Sequence, residues 1–128
     1  MRWPAPSPLR PGLDVLLVED QMLVAMDVET MLTEAGVGRI RTATTASEGL
    51  ARLREAAPDV AVLDIDLGQA TSIPVAEELH RRGIPFVFAT GYDEAPELPE
   101  AFRAVALVRK PYDRAALATA IAAALGRS

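Results

Sequence analysis

The sequence predicts a doubly wound α/β domain, one five-stranded parallel sheet between two layers of helices. Three observations carry that prediction. Short apolar runs alternate five times with segments of helical period. Two of the runs, at residues 15–18 and 60–63, are apolar without alternation, as strands covered on both faces are. Finally, 50% of the chain is hydrophobic but only 5% aromatic, which suits an aliphatic core. Alternation of this kind closes as a parallel sheet with right-handed crossovers and helices on both sides. A length of 128 residues fits one such domain, without internal repeats.

Residues 1–12 precede the pattern and carry Pro4, Pro6, Pro8 and Pro11. Proline removes backbone donors and favours extended geometry, so these residues read as a flexible tail, with Trp3 an exposed ring, and 13–126 as the domain. The strands are expected at 13–18, 39–43, 60–63, 85–89 and 105–108. The first helix, 21–35, places Ala25, Val28, Leu32 and Ala35 on one face, and Met22, Met26 and Met31 read as packing residues. The second, 45–57, turns Leu50, Leu53 and Ala57 inward. The third, 74–82, opens on Pro74, suited to a first helical turn, and stops at Gly83. A short fourth helix is expected at 96–102 and a last one at 112–125, where seven alanines flank Leu117, Ile121 and Leu125. His80, the lone histidine, reads as a surface residue.

Composition narrows the function. With 13 basic against 18 acidic residues the net charge is −5, and no basic run offers a footprint for a phosphate backbone, so direct DNA binding is not expected. The lack of cysteine removes disulfide scaffolds, thiolate zinc sites and cysteine nucleophiles. No apolar stretch reaches the roughly 18 residues of a membrane span, and the tail is no secretory signal, so a cytoplasmic protein is expected.

In an open α/β sheet, ligands bind beyond the carboxyl ends of the strands. The polar residues that follow each apolar run are therefore the informative ones. Glu19 and Asp20 follow the first, Asp64 and Asp66 the third, Thr90 the fourth and Lys110 the fifth, whereas the second ends in uncharged Thr44 and Thr45. Crowded carboxylates call for a hard divalent cation, and Mg²⁺ suits one or two carboxylates completed by water and phosphate oxygens. A carboxylate so screened can attack phosphorus. A phosphoryl group in transit needs positive charge and donors on its oxygens, which Lys110 and Thr90 supply.

The segments at 16–20 (LLVED), 62–67 (VLDIDL), 89–91 (ATG) and 110–112 (KPY) resemble the receiver domain of bacterial two-component response regulators, over about residues 12–126. The resemblance implies a flavodoxin-like (βα)5 fold with sheet order 2-1-3-4-5. It implies that Asp64 is the phospho-acceptor and that Thr90 and Lys110 hold the phosphoryl oxygens. It makes Glu19, Asp20, Asp64 and Asp66 the Mg²⁺ site, with Glu19 acting through metal-bound water and Asp66 through its backbone carbonyl. FATGY at 88–92, with RKPY at 109–112, is similar to the single-domain FATGUY subgroup. A stand-alone signalling module rather than an enzyme is thus expected. Its partners would be a sensor histidine kinase or a histidine phosphotransfer protein and a downstream protein, and the chain would be a monomer or weak homodimer.

The sequence departs from typical receivers in two places. Leu107 stands where they carry an aromatic residue that turns inward with the threonine, and Gly68 stands where many have proline, which permits a looser loop. With no ring at 107, the signal is expected to leave through the 91–99 loop and the short fourth helix, and Asp66 and Tyr92 flank the route of hydrolytic water. The residues admit two alternatives. Asp64-Ile65-Asp66 also resembles the first motif of haloacid-dehalogenase-like phosphatases, but their metal-binding acids follow the lysine, whereas Glu19 and Asp20 precede Asp64. A phosphorylation-independent pseudo-receiver is the other, disfavoured because no site residue is missing.

Overall fold

The computed structural model describes residues 8–68, 70–91, 98–110 and 113–126. In chain order its elements are β1 (Asp14–Val18), α1 (Met22–Glu34), β2 (Arg39–Ala43), α2 (Ala46–Glu55), β3 (Val60–Asp64), β4 (Asp66–Leu67), β5 (Ala70–Thr71), α3 (Ile73–Arg82), β6 (Phe86–Thr90), a 3₁₀ turn (Glu100–Phe102), β7 (Leu107–Arg109) and α4 (Arg114–Gly126). Five strands pair in parallel in the order β2-β1-β3-β6-β7. This is the expected doubly wound, flavodoxin-like order, once the small β4–β5 hairpin is set aside.

Successive strand residues point to opposite faces, and the core divides accordingly. Val15, Leu17, Val60, Val62, Val87 and Ala89 pack against Val28 and Leu32 of α1 and Leu117 and Ile121 of α4. Leu16, Val18, Ala61, Leu63, Phe86 and Phe88 pack on the other face against Leu53 of α2 and Val75 and Leu79 of α3. The second face holds the rings: Phe102 meets Phe86 and Phe88 edge-on, at 5.7 and 6.0 Å, and His80 at 5.6 Å. His80 is exposed, as expected.

Helix ends follow their side chains. Thr45 accepts from the Glu48 amide at 3.0 Å and starts α2. Asp113 accepts from the Ala116 amide at 2.7 Å, so α4 begins two residues later than its apolar period suggests. Gly83, at φ 70°, closes α3 in the left-handed region.

Several expectations change. Strands β3 and β6 each run one residue further than their apolar segments, to Asp64 and Thr90. The ladder continues there because backbone pairing does not depend on side-chain polarity: Asp64 faces Ala89, and Thr90 faces Arg109. The described end of the fourth helix is a 3₁₀ turn, Glu100–Phe102, not an α-helix. Residues 92–97, including Tyr92, lie outside the described residues, as do Trp3, Pro111 and Tyr112. Gly68, at φ 77° in the left-handed region, follows β4, which pairs antiparallel with β5, Asp66 opposite Thr71. Two-residue strands are too short to show a period, so this hairpin is invisible in the sequence. Leu9, assigned to the tail, is only 5% exposed and joins the α1–α4 side of the core.

At the amino end of the sheet, charges are paired. Arg41 reaches the Asp14 carboxylate at 3.3 Å and the Arg52 carbonyl at 3.0 Å. Asp59 accepts from the Asp14 amide at 2.8 Å and lies 3.6 Å from Arg10. No helix among the described residues is long and apolar enough to cross a membrane.

Candidate functional site

The carboxyl rim gathers the expected residues from separate strands. Glu19 leaves β1, and its amide donates to the Ala43 carbonyl of β2 at 2.9 Å, so β2 fixes where the acidic pair begins. Asp64 ends β3 and Thr90 ends β6. Lys110 follows β7, and its amide donates to the Thr90 carbonyl at 2.7 Å. Adjacent strands in register therefore set the spacing across the rim.

The Lys110 ammonium donates to Glu19 Oε1 at 2.7 Å and to Asp64 Oδ2 at 3.1 Å. The other Glu19 oxygen, Oε2, accepts from the Gln21 amide at 3.0 Å, just before α1. Glu19 is thus held at both ends and is 1% exposed. Asp64 and Thr90 are buried too, whereas Asp20 faces solvent.

One ammonium here serves two buried carboxylates, and the balance is uneven. Burial, and then the neighbouring Glu19 charge, push the Asp64 carboxyl up from 3.8 to about 7, against the opposing pull of Lys110. Lys110 lies above its ordinary value: burial works against its charge, but its bond to Glu19 and the Asp64 and Glu19 charges outweigh that. The two directions are compatible. Lys110 gains from both acids, while Asp64 shares that ammonium with Glu19.

Carboxylate oxygens of Glu19, Asp20 and Asp64 lie within 4.8 Å of one another. Hard oxygen donors, one of them open to solvent, fit a divalent cation that keeps water ligands. The uncompensated charge gives that cation a reason to bind. The structure brings together Glu19, Asp20, Asp64 and Lys110, with Thr90 on the adjoining strand end. It does not bring in the Asp66 carboxylate, which is exposed on β4 and outside this trio.

Two neighbours of the site escaped sequence reasoning. The β4–β5 hairpin lies against it: a Cβ on Gly68 would sit 3.9 Å from Asp20 Oδ2. The first turns of α1, directly after the acidic pair, expose Met22, Leu23 and Met26 by 67%, 78% and 56%. Met22 and Met26 are therefore not packing residues, although Met31 does lie against the core.

Comparison with known proteins agrees with this fold. The SdrG structure from Sphingomonas melonis Fr1 superposes with a TM-score of 0.78 at 36% identity, covering 91% of this chain and 98% of that one. The phyllosphere-induced regulator PhyR of Methylorubrum extorquens is 30% identical over 115 residues, 88% of this chain and 43% of that protein. A response regulatory protein of Vibrio cholerae is 33% identical over 84 residues, 64% of this chain and 35% of its own length. The chain thus spans less than half the length of these two relatives. The family model for the response regulator receiver domain matches residues 15–122, and with nearly the whole fold inside that match, the chain belongs to this family.

Proposed function

We propose that this receiver accepts a phosphoryl group from a phospho-histidine onto Asp64, with Mg²⁺, and passes the signal on by protein–protein contact or phosphorelay. The observation that carries the reading is the Lys110 ammonium bridging Asp64 and Glu19 at the carboxyl ends of their strands. An ionised Asp64 oxygen attacks phosphorus, the P–N bond breaks, and the imidazole leaves with the electron pair; the product is an acyl phosphate. Mg²⁺ bound by Asp20 and Asp64, with Glu19 behind them, would supply positive charge to the acids and to the phosphoryl oxygens. Lys110 aims Asp64 beforehand and then follows the charge onto the new phosphoryl oxygens. Thr90, one backbone bond from Lys110, supplies a hydroxyl donor on the same rim.

The partner is a sensor histidine kinase or a histidine phosphotransfer protein. The exposed apolar start of α1, beside the acidic pair, suits a protein donor better than a small molecule. The near-complete match to the SdrG chain favours action as a single domain.

The test is incubation with Mg²⁺ and acetyl phosphate, followed by mass spectrometry. One acid-stable, base-labile phosphoryl increment is expected. Its survival in Asp64→Ala would overturn the assignment of the acceptor.

A further inference from the structure

We propose that Ser72 is a two-position helix cap through which α3 senses the state of the Asp64 site. The idea rests on the phospho-acceptor reading of Asp64 and adds to it a residue in no direct contact with the phosphoryl group.

Ser72 occupies the N-cap of α3, a helix of 10 residues, but its hydroxyl makes no cap bond. Its Oγ has no hydrogen-bond partner among the described residues, and the residue is 0% exposed. Buried hydroxyls are seldom left unpaired, and an alanine here would bury no polar atom. The backbone explains the idle hydroxyl. An N-cap residue ordinarily has extended dihedrals that aim its oxygen at the second or third helical amide. Ser72 instead lies at φ −87°, ψ 4°, the bridge region. The second helical residue is Pro74, which has no amide hydrogen, so Val75 offers the capping donor. In this structure the Val75 amide donates to the Ser72 carbonyl at 2.9 Å, and Thr71 Oγ1 accepts from the Ile73 amide at 3.3 Å. Rotating Ser72 about ψ to an extended value would pass the Val75 amide from the carbonyl to the idle hydroxyl.

That rotation is tied to the acceptor. The Ser72 amide donates to the Ile65 carbonyl at 3.1 Å, one residue past Asp64. The Ile65 amide donates in turn to the Ala89 carbonyl at 3.0 Å, one residue before Thr90. Ile65 is therefore clamped between the two strand ends that would hold the phosphoryl group and the residue that starts α3. A shift of Asp64 or Thr90 towards a bound phosphoryl group moves Ile65, and with it the peptide on which Ser72 turns. The idle hydroxyl then gains a partner, so the loaded site favours the second position.

The experiment loads ¹⁵N-labelled protein with Mg²⁺ and beryllofluoride, a phosphoryl mimic, and follows backbone amides and hydrogen exchange. In the wild type, loading should shift the Val75 amide resonance and slow its exchange by about tenfold. Ser72→Ala should melt no lower than wild type when unloaded, since it loses no bond. It should still load, more weakly by about three- to tenfold, with no slowing at Val75. Ser72→Thr, which keeps the hydroxyl, should restore the slowing. The proposal is overturned if Ser72→Ala melts lower unloaded and slows Val75 on loading as wild type does. It also fails if wild-type Val75 is unchanged by loading. If wild type takes up no beryllofluoride, or Asp64→Asn takes it up equally, the acceptor reading itself fails and this inference with it.

Discussion

The two ends of the sheet pair their charges in opposite ways. At the amino end, Arg10 and Arg41 answer Asp14 and Asp59, and the 8%-exposed Arg41 guanidinium also satisfies the Arg52 carbonyl. At the carboxyl end, the one Lys110 ammonium is shared by Glu19 and Asp64, with Asp20 adding a third acid. The amino end pairs its acids with arginines, and Arg41 ties α2 to β1 and β2. Among the described residues, the carboxyl end sets three acids around one ammonium, an excess of negative charge that a bound cation would relieve. Removing a charge should therefore destabilise the first end and stabilise the second, which is the difference between a structural tie and a binding site.

The contrast can be broken most directly at Arg41. Arg41→Met strands the Asp14 carboxylate and the Arg52 carbonyl, and should cost about 3 kcal/mol in urea unfolding. A neutral result would mean that the amino-end network is incidental. The opposite sign is expected at Asp64. Because its folded pKa of about 7 lies above the ordinary 3.8, the folded state binds the extra proton between those values. Stability from this group is full below pH 3.8 and is lost as pH rises through about 7. Asp64→Asn should therefore stabilise the metal-free protein by about 2 kcal/mol at pH 8, and by less than half of that at pH 4. Equal gains at both pH values would show that Asp64 titrates normally.

The excess charge also predicts cation binding. Added Mg²⁺ should raise the melting temperature at pH 8 and do so less at pH 6, where protons compete for Asp64. Asp20→Ala should weaken Mg²⁺ by about tenfold in a calorimetric titration, or about 1.4 kcal/mol. An unchanged affinity would place the cation elsewhere. The smallest effect is expected at Leu23, exposed beside the rim. Leu23→Ser should move stability by less than about 0.5 kcal/mol and leave phosphorylation by acetyl phosphate intact, while slowing transfer from a protein donor. A large loss of stability would mean that the first turn of α1 packs on the fold after all.

Much of this was legible in the residues. The strands stand out because Val15, Leu16, Leu17 and Val18 are apolar on consecutive positions, which a strand buried on both faces requires. The rim residues stand out because strand ends are where an apolar run gives way to Glu19, Asp64, Thr90 and Lys110. The 66–71 hairpin, the packing of Leu9 and the exposure of Met22 and Met26 were not legible. A two-residue strand has no period, a lone leucine among prolines has no pattern, and a methionine's burial depends on which neighbour covers its helix face.

The sequence by itself therefore determined the alternation of strands and helices, the chemistry available at each strand end and the net acidity of the chain. These follow from local periodicity and side-chain type. Only the tertiary structure decided that one ammonium is shared by two buried carboxylates, that the Asp66 carboxylate is exposed outside the acidic trio, and that the buried Ser72 hydroxyl has no partner among the described residues. Those facts depend on distances between residues up to 91 positions apart, set by parallel strand register rather than by any neighbour in the chain.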